Sequence, residues 1–308
     1  MKQGKKRDLT AASDDQGRRL DRILRKALPE APLSRIHRLL RKGVITVDGK
    51  AAGPDLRLYA GAVISVPAGL AEPSPARKKA APPVSLPVLW EGRGLIFINK
   101  PAGIPVHGAH SLDTLVQQYL AGRLGRSLSF KPGPLHRLDR PTSGVIAFSA
   151  SLEGACAFSA LMREGRIQKQ YLAVLDGELA APVRCAEPLA RDREARKTYA
   201  SPEGQPAETR FAPLCRRSGY SLAMAEISAG KTHQIRAHAA FLGCPLAGDR
   251  KYGGSFLQGG LLLHAESLAF PFPDKDGACC RVSAPLPPRF RACIAALFGE
   301  NAGSALFS

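Results

Sequence analysis

The stretch that most constrains this chain is residues 134–149, PLHRLDRPTSGVIAFS. It opens with turn formers and charges, tightens through Pro141, Thr142, Ser143 and Gly144, and ends in Val145, Ile146, Ala147 and Phe148. An apolar run of β-branched and aromatic residues after a turn predicts a buried strand. Asp139 therefore sits on a loop that a rigid strand holds in place, a common position for a functional side chain. Arg137 and Arg140 flank it, and a nearby guanidinium favours the ionised carboxylate. An ionised, positioned carboxylate can serve as nucleophile or base. An aspartate in an arginine-rich turn is more often a salt bridge or an Asx cap, so the triplet alone does not choose.

Charge narrows the class of partner. Lys and Arg number 44 against 26 Asp and Glu, a net of +18 over 308 residues. Such an excess favours a polyanion, either nucleic acid or an anionic membrane surface. No apolar run approaches the length that spans a bilayer, and the first 17 residues lack the apolar core of a signal peptide. The seven cysteines form no CxxC pair, which argues against a zinc ribbon or a redox dithiol and for reduced thiols in a cytoplasmic protein. His233 and His238 have no acidic partner nearby in sequence, so no metal is expected there.

Residues 1–17 are polar and aperiodic and predict a disordered basic tail. From Arg18 a compact module begins. Leu20, Ile23, Leu24, Ala27 and Leu28 share one helix face. Ser34 offers an N-cap for a second helix with Ile36, Leu39 and Leu40 inward. Arg35, Arg38 and Lys42 stripe its other side. VITV (44–47), a turn at Asp48-Gly49 and AVISV (62–66) complete a hairpin. Residues 69–87 are proline-rich and predict an extended linker whose RKK run adds a weak phosphate contact. Residues 85–308 then alternate strand and helix patterns. LIFIN (95–99), VIAF (145–148) and the alternating 166–179 read as strands, while 112–124 and 151–164 read as helices. Thr232 is placed to cap a helix running to Leu242. Lys100 reads equally as a phosphate contact or an ordinary solvated lysine.

Several of these strings resemble a known family. HRLDRPTSG closely resembles the HRLDxxTSG signature of the RluA-like pseudouridine synthases, and NKPAG (99–103), KQYLAVLDG (169–177), KTHQIRAH (231–238), GDRKYGG (248–254) and LLLHAESLAFPFP (261–273) resemble further family motifs in the same order. Phe272 stands where the family usually has His, and Ala237 where it has Val. RLDRIL…LSRIHRLLRKGVITVDGK resembles the S-four-type RNA-binding domain, whose basic second helix lies on RNA phosphates. The resemblance implies Arg35, Arg38 and Lys42 as RNA contacts. It implies Asp139 as the catalytic residue and Arg236 as its partner. Tyr171 and Ile235 would sandwich the target uracil, and Arg137 would fill the space a flipped base leaves or hold a phosphate.

The expected architecture is α+β, a mixed, mainly antiparallel sheet forming a catalytic domain at 88–300. A small N-terminal α/β RNA-binding domain at 18–68 precedes it, joined by the linker at 69–87. The expected activity is isomerisation of uridines in structured RNA, ribosomal RNA first, by a monomer. No atom is gained or lost in that reaction, so no cofactor or metal is called for. Neither a P-loop nor a GxGxxG string is present. The alternatives are a catalytically silent RNA-binding or ribosome-assembly factor, and an aspartate-dependent hydrolase, which pairs two carboxylates.

Overall fold

The computed structural model describes residues 6–70, 85–121, 123, 127–271 and 279–299. The linker residues 71–84, with their RKK run, and Phe272 lie outside them. Contacts divide the chain into two units. The first is Met1–Ser85 with Leu115–Gly133 and Ser149–Ala155, and the second is Leu86–Thr114, Pro134–Phe148 and Cys156–Ser308. Two segments that the sequence placed in the catalytic region thus group with the N-terminal unit.

The first unit runs β1 (Lys6–Thr10), α1 (Leu20–Ala27), α2 (Leu33–Arg41), β2 (Thr46–Val47), β3 (Lys50–Ala51) and β4 (Val63–Pro67). Its sheet has the order β1-β4-β2-β3, and each neighbouring pair is antiparallel. Leu20, Ile23 and Leu24 of α1 and Ile36 and Leu40 of α2 bury their faces against Ile64 and Val66 of β4. Asp48 and Gly49 both take positive φ, 49° and 77°, as a tight hairpin turn requires. Arg35, Arg38 and Lys42 are exposed, as the stripe predicts.

Two expectations fail here. Residues 6–17 are not a disordered tail. β1 pairs with β4 from Lys6↔Pro67 to Thr10↔Val63. Asp15 is fully buried and accepts hydrogen bonds from the backbone of Ala12 and Leu128 at 2.9 Å, from Ser127 Oγ at 2.9 Å and from Ser129 N at 3.1 Å. Burial opposes its charge, but these donors outweigh it and hold the carboxyl below its usual value. Apart from Ala12, the partners lie more than a hundred residues away, so local composition could not show them. The second helix also starts at Leu33, after Pro32 with φ −56°, with no side-chain cap from Ser34. Proline's fixed φ pre-sets that start.

The chain continues β5 (Val88–Gly92), β6 (Leu95–Lys100), α3 (Leu112–Leu120), β7 (Ser143–Ser149), α4 (Leu152–Arg163), β8 (Gln168–Asp176), β9 (Val183–Cys185), β10 (Leu189–Asp192), β11 (Lys197–Ala200), β12 (Thr209–Arg217), β13 (Tyr220–Ile227), α5 (Gln234–Phe241), β14 (Leu263–Pro271), β15 (Cys279–Ser283) and α6 (Pro288–Phe298). One sheet has the order β5-β6-β7-β14-β8-β13-β12-β9, with β15 also on β14, while β10 and β11 form a separate hairpin. β7 and β14 pair in parallel; β8 is antiparallel to both β13 and β14. The sheet is therefore mixed and mainly antiparallel. Phe97, Phe158 and Phe270 meet ring to ring on it, at centroid separations of 5.4–6.1 Å. Leu172, Val174 and Leu222 pack with Phe290, Ile294 and Phe298 of α6. Gly144, the second residue of β7, must be glycine. Its φ is 113°, and a Cβ there would strike the carbonyl oxygen of Ala265 on β14.

Among the described residues no helix is long and apolar enough to cross a membrane. All seven cysteines are free.

Candidate active site

Asp139 lies in the turn that leads into β7, closed by a Thr142 N–H bond to the Asp139 carbonyl at 3.1 Å. Lys100, at the end of β6, fixes this turn. It is fully buried, and its Nζ donates to the carbonyls of Pro101 at 3.1 Å, Arg140 at 3.1 Å and Thr142 at 2.7 Å. Burial pulls its pKa down to about 8, against the attraction of Asp139. Neither sequence reading of Lys100, phosphate contact or solvated lysine, holds. Its donors are consumed by the backbone carbonyls of the turn.

The charge partner of Asp139 comes from α5. Arg236 Nη1 donates to Asp139 Oδ2 at 3.1 Å. The other edge of the guanidinium is gripped by Asp249, with Nε to Oδ2 at 2.7 Å and Nη2 to Oδ1 at 2.8 Å. The Arg236 side chain is 8% exposed and that of Asp249 2%, so this bidentate pair is shielded from water. Burial opposes the charge on Arg236, but the two aspartates outweigh it and hold the guanidinium above its ordinary value. The flanking arginines do not take this role. Arg140 Nε donates to the Gly103 carbonyl at 2.8 Å, and Arg137 is exposed at the cleft. The two neighbours are in the right place in sequence, but the turn directs them elsewhere.

α5 does not begin as the sequence suggested. Thr232 does not cap it; His233 occupies the N-cap with φ 56° and ψ 21°, and the helix starts at Gln234. His233 Nε2 stands 3.7 Å from Asp139 Oδ2, and its Nδ1 is 2.9 Å from Tyr252 Oη. Burial holds its pKa below the usual histidine value, with Arg236, Lys251 and Arg191 reinforcing and Asp139 opposing.

Tyr171, on β8, is buried, and it lines the same cleft as Asp139, Arg137, Leu138, Ile235 and Arg236. Burial raises its phenol far above the ordinary value, and Asp139 adds to this, so the ring stays neutral. The cleft has a volume of about 50 Å³ and opens to solvent. Lys169, two residues earlier on β8, is also buried. Its Nζ donates to the carbonyls of Ser228 at 3.1 Å and Ala229 at 3.0 Å, and burial lowers its pKa to about 8. It steadies the segment leading to Gly230, Lys231 and His233, all cleft-lining residues. Among the described residues no cluster of His, Cys, Asp and Glu could hold a metal.

The structure thus brings together Asp139, Arg137, Tyr171, Ile235 and Arg236. Arg35, Arg38 and Lys42 belong to the other unit. Sequence reasoning did not assign roles to Asp249, Tyr252, His233 and Lys169. The first two lay within GDRKYGG, and that string was the one available signal. A second carboxylate does approach, but both Asp249 oxygens are committed to Arg236. That differs from the two open carboxylates a glycoside hydrolase presents.

Comparisons with known proteins identify the class to which this fold belongs. The family described as RNA pseudouridylate synthase matches residues 94–241. Ribosomal large subunit pseudouridine synthase C of Pasteurella multocida is 33% identical, covering 94% of this chain and 93% of that protein. The protein of the same name from Escherichia coli strain K12 is 32% identical over 92% and 93%. The solved structure of human RNA Pseudouridylate Synthase Domain Containing 1 shares the fold, with a TM-score of 0.55 at 24% identity, over 69% of this chain and 89% of that one. The chain belongs to the RNA pseudouridylate synthase family, and is an RNA pseudouridine synthase.

Proposed function

We propose that this protein isomerises uridines of large-subunit ribosomal RNA to pseudouridine, with Asp139 as the catalytic carboxylate. The observation that carries the reading is the Asp139–Arg236–Asp249 array. A guanidinium held by a fully committed second aspartate can only offer Asp139 a fixed positive edge. That keeps the carboxylate aimed into a cleft beside a neutral aromatic ring. The relatives named for the large ribosomal subunit match nearly end to end, which supports that substrate for this chain.

In this reading a uridine is turned out of the RNA and its base enters the cleft. Tyr171 supplies a flat, stiff wall for the uracil, and Ile235 an apolar contact. Arg137, exposed at the cleft, meets the RNA outside. The glycosidic C–N bond breaks, the base turns while held, and a bond forms from ribose carbon 1′ to uracil carbon 5. The carbon 5 proton is then lost to solvent and the freed nitrogen is protonated, so atoms and electrons balance without a cofactor or metal. The first unit, an S-four-type module in this reading, binds RNA phosphates through Arg35, Arg38 and Lys42. The enzyme works as a cytoplasmic monomer.

The test is direct. Purified protein is incubated with large-subunit ribosomal RNA carrying tritium at uracil carbon 5. Release of tritium, with pseudouridines mapped by carbodiimide-blocked primer extension, is the expected result. Release from transfer RNA but not from ribosomal RNA would overturn the substrate assignment.

A further inference from the structure

We propose that Tyr252 locks His233 in one tautomer, and that His233 is thereby a second positioning residue for Asp139. It would hold Oδ2 so that Oδ1 meets the substrate. The inference rests on the reading of Asp139 as the catalytic carboxylate.

The lock follows from donor and acceptor counting. The backbone N–H of Thr198 on β11 donates to Tyr252 Oη at 2.9 Å. A backbone N–H can only donate, so that contact takes a phenol lone pair and leaves the phenol proton for another acceptor. The acceptor in reach is His233 Nδ1, at 2.9 Å, because Thr198 Oγ1 beside the phenol makes no hydrogen bond and an Nδ1–H would leave the buried phenol proton without an acceptor. A neutral imidazole that accepts at Nδ1 carries its proton on Nε2. Nε2 is the nitrogen that faces Asp139 Oδ2, at 3.7 Å.

Both partners are tightly held. Tyr252 is buried, with the Arg236 guanidinium 4.8 Å from its ring centroid and Lys197 Nζ 5.2 Å away. Its N–H bonds the carbonyl of Asp249 at 3.0 Å, so the residue that grips Arg236 also seats Tyr252. His233 has the left-handed backbone already noted, and such a conformation in a non-glycine residue persists only where its surroundings impose it. Its ring meets Tyr252 edge-on, at 5.7 Å and 85°.

The consequence concerns the carboxylate. Oδ2 takes Arg236 Nη1 at 3.1 Å and faces His233 Nε2. Among the described residues none bonds Oδ1. The 3.7 Å gap is longer than a hydrogen bond, but catalytic contacts in free enzymes commonly tighten when substrate binds. Two donors on one oxygen would stop the carboxylate from rotating and leave the other oxygen for chemistry. The groups facing His233 are Asp139 from the turn, Arg236 from α5, Lys251 and Tyr252 from the segment after Asp249, and Arg191 from β10. Three cations against one carboxylate favour a neutral ring, which alone can accept from Tyr252.

The experiment uses the full chain with nitrogen-15 histidine and long-range proton–nitrogen correlation spectra. His233 is assigned by the signal lost in His233→Asn, a residue that tolerates left-handed backbone. The wild type should show His233 protonated on Nε2 only, at neutral pH. Tyr252→Phe keeps the ring but removes the hydroxyl. His233 should then become a tautomer mixture, so kcat at neutral pH should fall while KM stays within about twofold. His233→Asn should lower kcat about tenfold or more, the worth of one charge-assisted hydrogen bond, with a smaller change in KM. A wild-type ring protonated on Nδ1, a Tyr252→Phe ring still protonated on Nε2 only, or His233→Asn with kcat within about twofold of wild type would each overturn the proposal. The spectra need no turnover. A wild type that isomerises nothing counts against the proposed function, whereas a wrong tautomer counts against this inference alone.

Discussion

In the first unit Arg35 and Arg38 on α2 and Lys42 just after it stand exposed, whereas in the second Lys100, Lys169 and Arg236 are buried and direct their charged groups at named oxygens. The two sets look alike in composition and differ in physics. An exposed cation keeps its water and acts at range, where salt screens it. A buried one loses its water and persists only because carbonyls or carboxylates replace it. The first kind suits capture of a polyanion and the second suits fixing a geometry. The net +10 of residues 1–84, from 18 cations and 8 anions, therefore speaks to binding. The smaller set inside the second unit speaks to the site.

The sharpest way to break this comparison is at Arg236. Arg236→Met should leave Asp249 buried and unpaired, lowering stability by about 3–5 kcal/mol in urea unfolding, and isomerisation should be lost as well. Adding Asp249→Asn should recover much of the stability but none of the activity. If the double variant regains turnover, Arg236 serves the fold and not the carboxylate.

Tyr171 comes next in size. Tyr171→Ala should weaken substrate binding or turnover by about 1–3 kcal/mol, the range for a base stacked on an aromatic ring. Tyr171→Phe should retain most of it. Equal loss in both variants would assign the work to the hydroxyl.

Lys169 gives a pH signature. Its pKa falls from 10.5 to about 8 in the fold, so the folded chain binds that proton less readily than the unfolded one. Between those values the unfolded state holds more protons, and stability should rise with pH across the window. Lys169→Met should flatten that rise. An unchanged slope would mean the ammonium is not shielded as described.

The smallest effect should come from the exposed set. Replacing Arg35, Arg38 and Lys42 by Ala should leave kcat at saturating RNA nearly unchanged. The slope of log affinity against log salt should become shallower by up to about 3, roughly one per lost phosphate contact. A fall in kcat would mean that these residues do more than capture RNA.

Legibility in the sequence divides along the same line. Helix faces such as Leu20, Ile23 and Leu24, the strand 145–148 and the Asp48-Gly49 turn follow from local periodicity and turn chemistry. Asp139, Tyr171 and Arg236 were legible through ordered motifs. Asp249, Tyr252 and the burial of Lys100 were not, because each depends on a partner far along the chain. Asp15 shows the same limit. Its donors at Ser127, Leu128 and Ser129 convert an apparently loose segment into part of a folded unit. The left-handed backbone of His233 likewise shows only in the fold.

The central claim is that the Asp139 charge does the chemistry while the rest of the molecule holds it and the RNA in place. Asp139→Asn tests this most directly, because it keeps shape and removes charge. Tritium release and RNA affinity should be measured on the same preparation, against large-subunit ribosomal RNA. The account predicts wild-type affinity within about threefold and tritium release reduced by at least about a thousandfold, as for loss of other essential groups. Release within tenfold of wild type would contradict it.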